Sequence, residues 1–167
     1  MSGCRSHGAN RSPPHYPSFH FLPTASQQQR YHGPEGTPPN TAASLTRYEK
    51  FLRQHIDYPR TAAPDTRARN DRSYCNLMMQ RRGMARPCKH TNTFVHAPAS
   101  QLRDICGRAG RPAGRNLRNS NNRYRITICR LASGSTRPPC NYRGGSSTRR
   151  IRVACVRGLP VHYDRNL

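Results

Sequence analysis

Hydrophobic residues recur at helical spacing in the first part of the chain. An apolar stripe comes first and consists of Tyr48, Phe51, Leu52 and Ile56. Thr46 stands three residues before Glu49, which is the spacing of a capping box, where a hydroxyl and a carboxylate bind the first free amides of a helix. The pattern therefore predicts a first helix that begins at Thr46 and ends before Pro59.

Two further helices are predicted from the same period. The second runs from Asp71 to Arg82, and Gly83 is its C-terminal cap. Its inward side is formed by Tyr74, Cys75, Met78 and Met79. A third, short helix runs from Pro98 to Cys106. The segment from Gly107 to Asn122 is rich in Gly, Asn and Arg, and this composition predicts a loop.

Beyond this loop the period changes to two, which is typical of strands. One run has Tyr124, Ile126 and Ile128 on one side, and another has Ile151, Val153 and Cys155. A third strand contains Val161, His162 and Tyr163, after a turn at Gly158-Leu159-Pro160. Helices followed by paired strands predict an α+β domain with an antiparallel sheet.

Charge is distributed unevenly along the 167 residues. Residues 1–45 are rich in Ser, Pro, Gln, His and Gly without periodicity, so they are predicted to form a disordered extension. Three arginines and one glutamate give this extension a net charge of +2 of the total of +22. The predicted domain, residues 46–167, carries the remaining +20, and this charge predicts polyanionic partners such as nucleic acid, heparin-like glycans or anionic membrane surfaces.

Seven cysteines indicate covalent cross-links. Six of them lie 11 to 23 residues apart and none forms a Cys-x-x-Cys pair: Cys75, Cys88, Cys106, Cys129, Cys140 and Cys155. Because zinc sites usually contain such close pairs, three disulfides are the favoured interpretation, with fifteen possible pairings. Cys4 is left unpaired. Disulfides require an oxidising compartment, so we expect a secreted protein, although the N-terminus shows no signal peptide and no transmembrane run is present.

Two residues are candidates for chemistry, and each has a structural alternative. Lys50 and Lys89 are the only lysines among 29 basic Lys and Arg residues. Lys89 therefore either has a specific function, such as binding a phosphoryl oxygen with its compact charge, or is a surface lysine without one. His55 falls within the first apolar stripe, where a packed core histidine is the commoner role and a catalytic one the alternative.

Three separated motifs resemble the pancreatic-type ribonuclease (ribonuclease A) superfamily. They are Phe51-x-x-Gln54-His55, Cys88-Lys89-x-x-Asn92-Thr93-Phe94 and Val161-His162-Tyr163-Asp164. The resemblance extends from about Thr46 to Asp164. It implies three helices packed on a bent antiparallel sheet, with disulfides Cys75–Cys129, Cys88–Cys140 and Cys106–Cys155. The lack of a fourth cysteine pair resembles angiogenins and the bird and reptile ribonucleases.

The resemblance implies a metal-independent and cofactor-independent endoribonuclease that forms a 2′,3′-cyclic phosphate. His55 would be the base that takes the 2′ proton, and His162 the acid that protonates the leaving 5′ oxygen. Lys89 would stabilise the charge on the phosphoryl oxygens in the transition state. Gln54 would hydrogen-bond the phosphate, and Asp164 would orient the imidazole of His162.

The substrate-binding residues implied by the resemblance are Lys50, Arg53, Asn92, Thr93 and Tyr163. Thr93, with Tyr163 beside it, would favour pyrimidines, while Lys50 and Arg53 would hold a neighbouring phosphate. Ile128 stands where ribonuclease A has an aspartate that supports the base-binding threonine. Arg165 lies near the position where angiogenins obstruct the pyrimidine pocket, so low activity is expected.

Other functions are compatible with the same residues. The main alternative is a non-enzymatic cationic protein, either antimicrobial or a binder of heparin or nucleic acid. A third hypothesis is an angiogenin-like signalling protein that cuts selected RNAs inside cells. The family resemblance also implies a monomer, with a ribonuclease inhibitor protein as a partner besides RNA.

Overall fold

The computed structural model describes residues 39–63, 71–132, 134 and 136–167. Disorder was predicted for residues 1–45. Residues 1–38, with Cys4, lie outside the described ranges, whereas residues 39–45 are helical instead of disordered. Three helices and seven strands are present in the described part of the chain. In these ranges, no helix is both long enough and apolar enough to cross a membrane.

Helix α1 spans Pro39–His55 and therefore begins seven residues (46 − 39) before the predicted start at Thr46. The predicted capping box is wrong, because Thr46 lies inside the helix and its hydroxyl donates to the carbonyl of Ala42 at 3.1 Å. Phe51 is buried on the inner face of the helix, as its place in the stripe predicts. After His55 the chain becomes extended, and Ile56 forms a single parallel bridge with Val95.

Helix α2 spans Asp71–Arg81 and helix α3 spans Ala99–Asp104, close to the predicted ranges. Gly83 has a φ of +73°, so it caps α2 as expected. The amide of Gly83 donates to Gln80 and the next amide, of Met84, donates to Met79. These two bonds form a Schellman motif, which turns the chain sharply toward the segment that contains Lys89.

All strand pairs within the two sheets are antiparallel. One sheet has the order β1-β4-β5 and the other β2-β3-β6-β7. The strands are β1 Thr91–Val95, β2 Gly110–Pro112, β3 Leu117–Ser120, β4 Tyr124–Leu131, β5 Tyr142–Arg149, β6 Ile151–Val156 and β7 Leu159–Asn166. The predicted α+β class, with three helices and antiparallel sheets, is confirmed.

Two local predictions about the strands are wrong. The segment from Gly107 to Asn122 is not only loop, because it contains β2 and β3, and β3 pairs with β6. The turn before β7 lies at Arg157 and Gly158, which have φ values of +51° and +75°. Leu159 therefore already belongs to the strand. Arg157 also donates to the Thr41 hydroxyl at 3.0 Å, so this turn contacts the early part of α1.

Two hydrophobic clusters form the core. The first joins α1 and α3 to both sheets and includes Phe51, Val95, Leu102, Ile105, Ile126 and Val153. The second packs α2 on the sheet of β1, β4 and β5 and includes Tyr74, Met78, Met79, Phe94 and Tyr142. The disulfides join Cys75 to Cys129, Cys88 to Cys140 and Cys106 to Cys155, as the resemblance implied.

A buried carboxylate ties the end of α1 to α2. Asp57 is only 3% exposed and accepts hydrogen bonds from the Tyr74 hydroxyl at 2.7 Å and from the amide and hydroxyl of Thr61. Arg82 contacts the same carboxylate at 3.3 Å. Burial alone would raise the pKa of Asp57, but the hydrogen bonds from Tyr74 and Thr61 outweigh burial and lower it. This ionised group fixes the chain just beyond His55.

Candidate active site

His55 is the last residue of α1 and is 8% exposed. Its Nδ1 lies 2.9 Å from the backbone carbonyl of Thr93. Because a carbonyl oxygen only accepts, Nδ1 carries the hydrogen and Nε2 keeps a free lone pair in the neutral ring. The ring packs between Phe51 and Tyr163, with centroid distances of 5.3 and 4.9 Å. The imidazole is therefore held in one orientation and one tautomer.

The surroundings of His55 favour its neutral form. Burial is the main cause, and the positive charges of Lys89 and His162 act in the same direction. The hydrogen bond to Thr93 opposes them in part. Together they lower the pKa of His55 to about 3. A neutral imidazole with a free Nε2 is able to accept a proton.

Lys89 lies between α2 and β1 and is half-buried. Its Nζ donates to Oδ1 of Asn92 at 3.0 Å, and Nδ2 of Asn92 donates to the carbonyl of Gln54 at 2.7 Å. The buried Asn92 therefore connects the ammonium group to the residue before His55. Burial first, and then the charge of Lys50, lower the pKa of Lys89.

His162 lies on β7 and is exposed. It lines a cavity of about 370 Å³ together with His55, Lys89, Thr93 and Tyr163. An α1 residue, a loop residue and a β7 residue thus face one space, although 107 positions (162 − 55) separate the two histidines along the chain. The structure brings together the three residues that the motifs singled out.

One wall of the cavity is shaped by Thr93 on β1. Thr93 is buried and is paired directly with Ile128 on β4. Ile128 has no polar side-chain atom, so its side chain supplies no hydrogen bond to Thr93. Tyr163 packs beside this wall; burial raises its pKa, while a hydrogen bond from Thr93 acts in the opposite direction. Thr93 and Tyr163 therefore line the same cavity, and base recognition by them stays a prediction.

Asp164 also lines the cavity, but its carboxylate contacts arginines. Nε of Arg165 donates to Oδ2 of Asp164 at 2.8 Å, and Arg152 lies 4.0 Å from the same oxygen. Within the described chain, the ion pairs of Asp164 are with these two residues rather than with His162. The expected orientation of His162 by Asp164 is thus not seen as a direct contact.

Three predicted residues lie outside the lining of this cavity. Lys50 and Arg53, both exposed, line a neighbouring depression of about 390 Å³ on α1. Gln54 contributes its backbone carbonyl to Asn92. Since the charge of Lys50 lowers the pKa of Lys89, the two depressions are close enough to interact electrostatically.

The cavity also contains residues that the sequence interpretation did not select. Thr91 and Asn166 line it, and the Tyr163 hydroxyl donates to Oδ1 of Asn166 at 2.5 Å. Asn166 follows His162 by four positions in one strand, but the pairing register of β7 shifts between Tyr163 and Arg165, so strand alternation alone does not indicate it. Among the residues that the structure describes, no group of three or more His, Cys, Asp and Glu is arranged to hold a metal ion.

Comparison with known proteins agrees with this geometry. Residues 46–164 match the family model described as pancreatic ribonuclease. A ribonuclease of Chelonia mydas is 68% identical over 121 residues, which cover 72% of this chain and 98% of the relative. An angiogenin of Equus caballus is 47% identical over 131 residues, covering 78% of this chain and 85% of the relative.

A solved structure shows the same fold. The crystal structure of green turtle egg white ribonuclease aligns with a TM-score of 0.68 and 66% identity, covering 72% of this chain and 98% of that structure. Fold, cleft and relatives thus define an enzyme that cleaves RNA. The chain belongs to the pancreatic ribonuclease family. It is an endoribonuclease of that type, and RNA is its substrate.

Proposed function

We propose that His55, Lys89 and His162 carry the reaction in this chain, by attack of a ribose 2′-oxygen on the adjacent phosphate. The observation that supports this assignment is their convergence on one cavity of about 370 Å³. Nε2 of His55 takes the 2′ proton, since Nδ1 is occupied by Thr93. His162, exposed at the mouth of the cavity, protonates the leaving 5′ oxygen. The two histidines exchange roles when the cyclic phosphate is hydrolysed.

Lys89 supplies the electrostatic stabilisation of the transition state. Negative charge accumulates on the phosphoryl oxygens as the 2′-oxygen attacks, and an ammonium held by Asn92 meets this charge without reorganising. Half-burial strengthens this effect, because less water screens the charge. Asn92 therefore acts through Lys89 as a positioning residue, in addition to its predicted contact with substrate.

Substrate selection is assigned to two areas. Thr93 and Tyr163 accommodate a pyrimidine on the 5′ side of the cut, while Lys50 and Arg53 bind the phosphate of a neighbouring nucleotide. The Arg165 side chain lines the same cavity and is expected to narrow it, which lowers activity. Because Ile128 stands in place of the aspartate that supports this threonine in ribonuclease A, discrimination between uracil and cytosine is expected to be weak.

The experiment compares cleavage of the dinucleotide UpA by the wild type and by Lys89→Ala. Loss of one preorganised donor to a developing oxyanion typically lowers kcat about 10²- to 10³-fold. Lys50→Ala is the matched control, because it removes the chain's other lysine and a dinucleotide has no neighbouring phosphate for it to bind. Equal rates for wild type and Lys89→Ala would overturn the assignment.

We also propose that the protein is secreted and that it has binding partners besides RNA. The three disulfides support secretion, since such bonds persist in oxidising surroundings. We further propose that the protein is a monomer, that heparin-like glycans bind it, and that a ribonuclease inhibitor protein is a partner. The net charge of +22 supports binding of polyanions.

A host-defence role is the second candidate, supported by the many exposed arginines. Arginine side chains bind anionic envelopes through charge, without chemistry at the cleft. His162→Ala separates the two activities. If this variant kills microbes as well as the wild type while no longer cleaving RNA, membrane action is independent; loss of both means that killing requires RNA cleavage.

A further inference from the structure

A second polar pocket lies beside the β4–β5 pair. It has a volume of about 270 Å³ and is lined by Arg60, His96, Arg125, Ser146, Ser147 and Thr148, among others. An adjoining hollow of about 160 Å³ shares Arg60, Arg125 and Ser146 with it. None of these residues lines the cavity of His55 and His162. We call this site the Arg60–Arg125 pocket.

Arg60 is held in place before any ligand arrives. Its Nη2 forms an ion pair with Oδ1 of Asp71 at 3.0 Å, and its guanidinium lies 4.1 Å from the centre of the Tyr74 ring. A guanidinium has five donors, so one bond to a carboxylate leaves others available. Because the Arg60 side chain is already fixed, binding of a ligand there costs less side-chain conformational entropy.

Arg125 faces the same space from β4. It is paired with Thr148 on β5, so the two side chains lie on the same face of the sheet. Arg125 is exposed, and no hydrogen bond or ion pair occupies its guanidinium within the described ranges. Two guanidiniums at one pocket repel each other unless an anion lies between them.

One hydroxyl of β5 adds a donor on the face of Arg125. Thr148 contributes this hydroxyl at the pocket wall. Ser147 also lines the pocket, but it pairs with Ile126, so its side chain lies on the opposite face of the sheet from Arg125.

The remaining polar groups do not cancel this positive charge. Among the residues that the structure describes, Asp71 is the one carboxylate in the lining of the two hollows, and it already binds Arg60 and the Ser146 hydroxyl, at 3.0 and 2.9 Å. His96 contacts the Asp57 carbonyl through Nδ1 and the Thr127 hydroxyl through Nε2. Burial, together with the charges of Arg60 and Arg125, lowers the pKa of His96, so the ring is neutral near pH 7. Two guanidiniums therefore face a single, already paired carboxylate.

We propose that the Arg60–Arg125 pocket binds a tetrahedral oxyanion, either phosphate or sulfate, as the free ion or as a terminal monoester. The forked guanidinium geometry matches two oxygens of such an anion, and the Thr148 hydroxyl reaches another. The inference does not depend on the proposed catalytic residues, because the two sites share no lining residue.

The test follows backbone amide resonances of the full-length protein during titration with inorganic phosphate. The amides of Ser146 to Thr148 should shift with a saturable curve, separately from those of the active-site cavity. Arg125→Ala should weaken phosphate binding at the pocket about tenfold or more, as expected for loss of a charged hydrogen-bond donor. Arg125→Lys should weaken it less, since charge remains but the fork is lost.

Arg111→Ala is the matched control, because Arg111 is an exposed arginine on β2, in the other sheet. It removes the same charge and should leave the pocket curve unchanged. RNA cleavage by Arg125→Ala should equal that of wild type, which separates this proposal from the catalytic one. Glucosamine 6-sulfate and thymidine 5′-phosphate, compared with the free ions, then show which source of the oxyanion binds more tightly.

Two results would overturn the proposal. One is the absence of any shift at Ser146 to Thr148 at phosphate concentrations that saturate the active-site cavity. The other is equal weakening by Arg111→Ala and Arg125→Ala, which would mean that the anion senses only the overall charge of the protein. A normal near-ultraviolet circular dichroism spectrum of each variant verifies that it is folded.

Discussion

His55 is both a packed residue and a candidate catalyst. Its place in the apolar stripe of α1 predicted burial, and the ring is indeed enclosed by Phe51 and Tyr163. Local pattern alone could not show that Nε2 stays free, because this depends on Thr93, 38 residues away in the chain. The catalytic role was accessible only through the three motifs taken together.

The titration of His55 is the first prediction. Its pKa in the folded protein, about 3, is below its ordinary value of 6.5. The folded state therefore binds fewer protons than the unfolded state between these values, and stability falls as pH decreases from about 6.5. We expect the free energy of unfolding to drop more between about pH 7 and pH 4 for wild type than for His55→Asn, whose amide can still donate to Thr93.

Urea unfolding at both pH values measures this difference. The pKa of Asp57 is also lowered, so its contribution is lost in the same direction, but it is present in both proteins and cancels. An NMR titration of the His55 ring measures the pKa of His55 directly. A midpoint at or above 6.5 would contradict the prediction.

At the level of elements, helices were predicted better than strands. The stripe of α1 and the glycine after α2 are local signals, and both helices formed, α2 over nearly the predicted range and α1 with a start seven residues (46 − 39) earlier than predicted. The early start of α1 was missed because Thr46 and Glu49 have the spacing of a capping box. Pro39, a residue suited to the first turn of a helix, marks the true start.

The missed strands lack a hydrophobic alternation of their own. β5 contains Gly144, Gly145 and several hydroxyl residues, so its composition resembles a loop. It is a strand because β4 pairs with it along eight residues and α2 packs on it. These partners are distant from β5 in the sequence, so the local pattern of β5 does not predict that it pairs with them.

The contact between β5 and α2 leads to the second prediction. A Cβ on Gly144 would lie 2.2 Å from the carbonyl oxygen of Asp71, whereas a Cβ on Gly145 would meet nothing within 4 Å. Gly144→Ala should therefore force the strand away from the start of α2 and destabilise the protein by about 1–3 kcal/mol. Gly145→Ala, the neighbouring control, should cost much less.

Thermal and urea unfolding of the two variants test this pair. Similar losses in both would show that the effect is general to alanine in this strand and not due to the close approach. Because φ is not in the left-handed region at either glycine, backbone strain does not confuse the comparison.

At the scale of the whole molecule, three disulfides cross-link the chain. Their spacing left fifteen pairings open, and only the resemblance selected the one that the structure has. The three bonds close stretches of similar length, with separations of 54, 52 and 49 residues.

The third prediction concerns removal of each bond by a pair of Cys→Ala changes. In the chain-entropy model each bond contributes about 4 kcal/mol for separations of this size, so the entropic losses should be nearly equal. Cys75 and Cys129 are fully buried in the second core cluster, whereas Cys106 and Cys155 are partly exposed. We therefore expect the Cys75–Cys129 variant to be the least stable in urea, with the Cys106–Cys155 variant losing less. The reverse order would mean that packing around these sulfurs is unimportant.

The order in which the disulfides connect the chain has a consequence for proteolysis. The bonds interleave, so a single cut of the backbone anywhere between Cys75 and Cys155 leaves the two pieces covalently joined. A cut between His55 and Cys75 is different, because no bond spans it. It would leave the helix that bears His55 attached only by noncovalent contacts, so one nick in that stretch could inactivate the enzyme, while a nick between Cys75 and Cys155 would leave the pieces covalently joined.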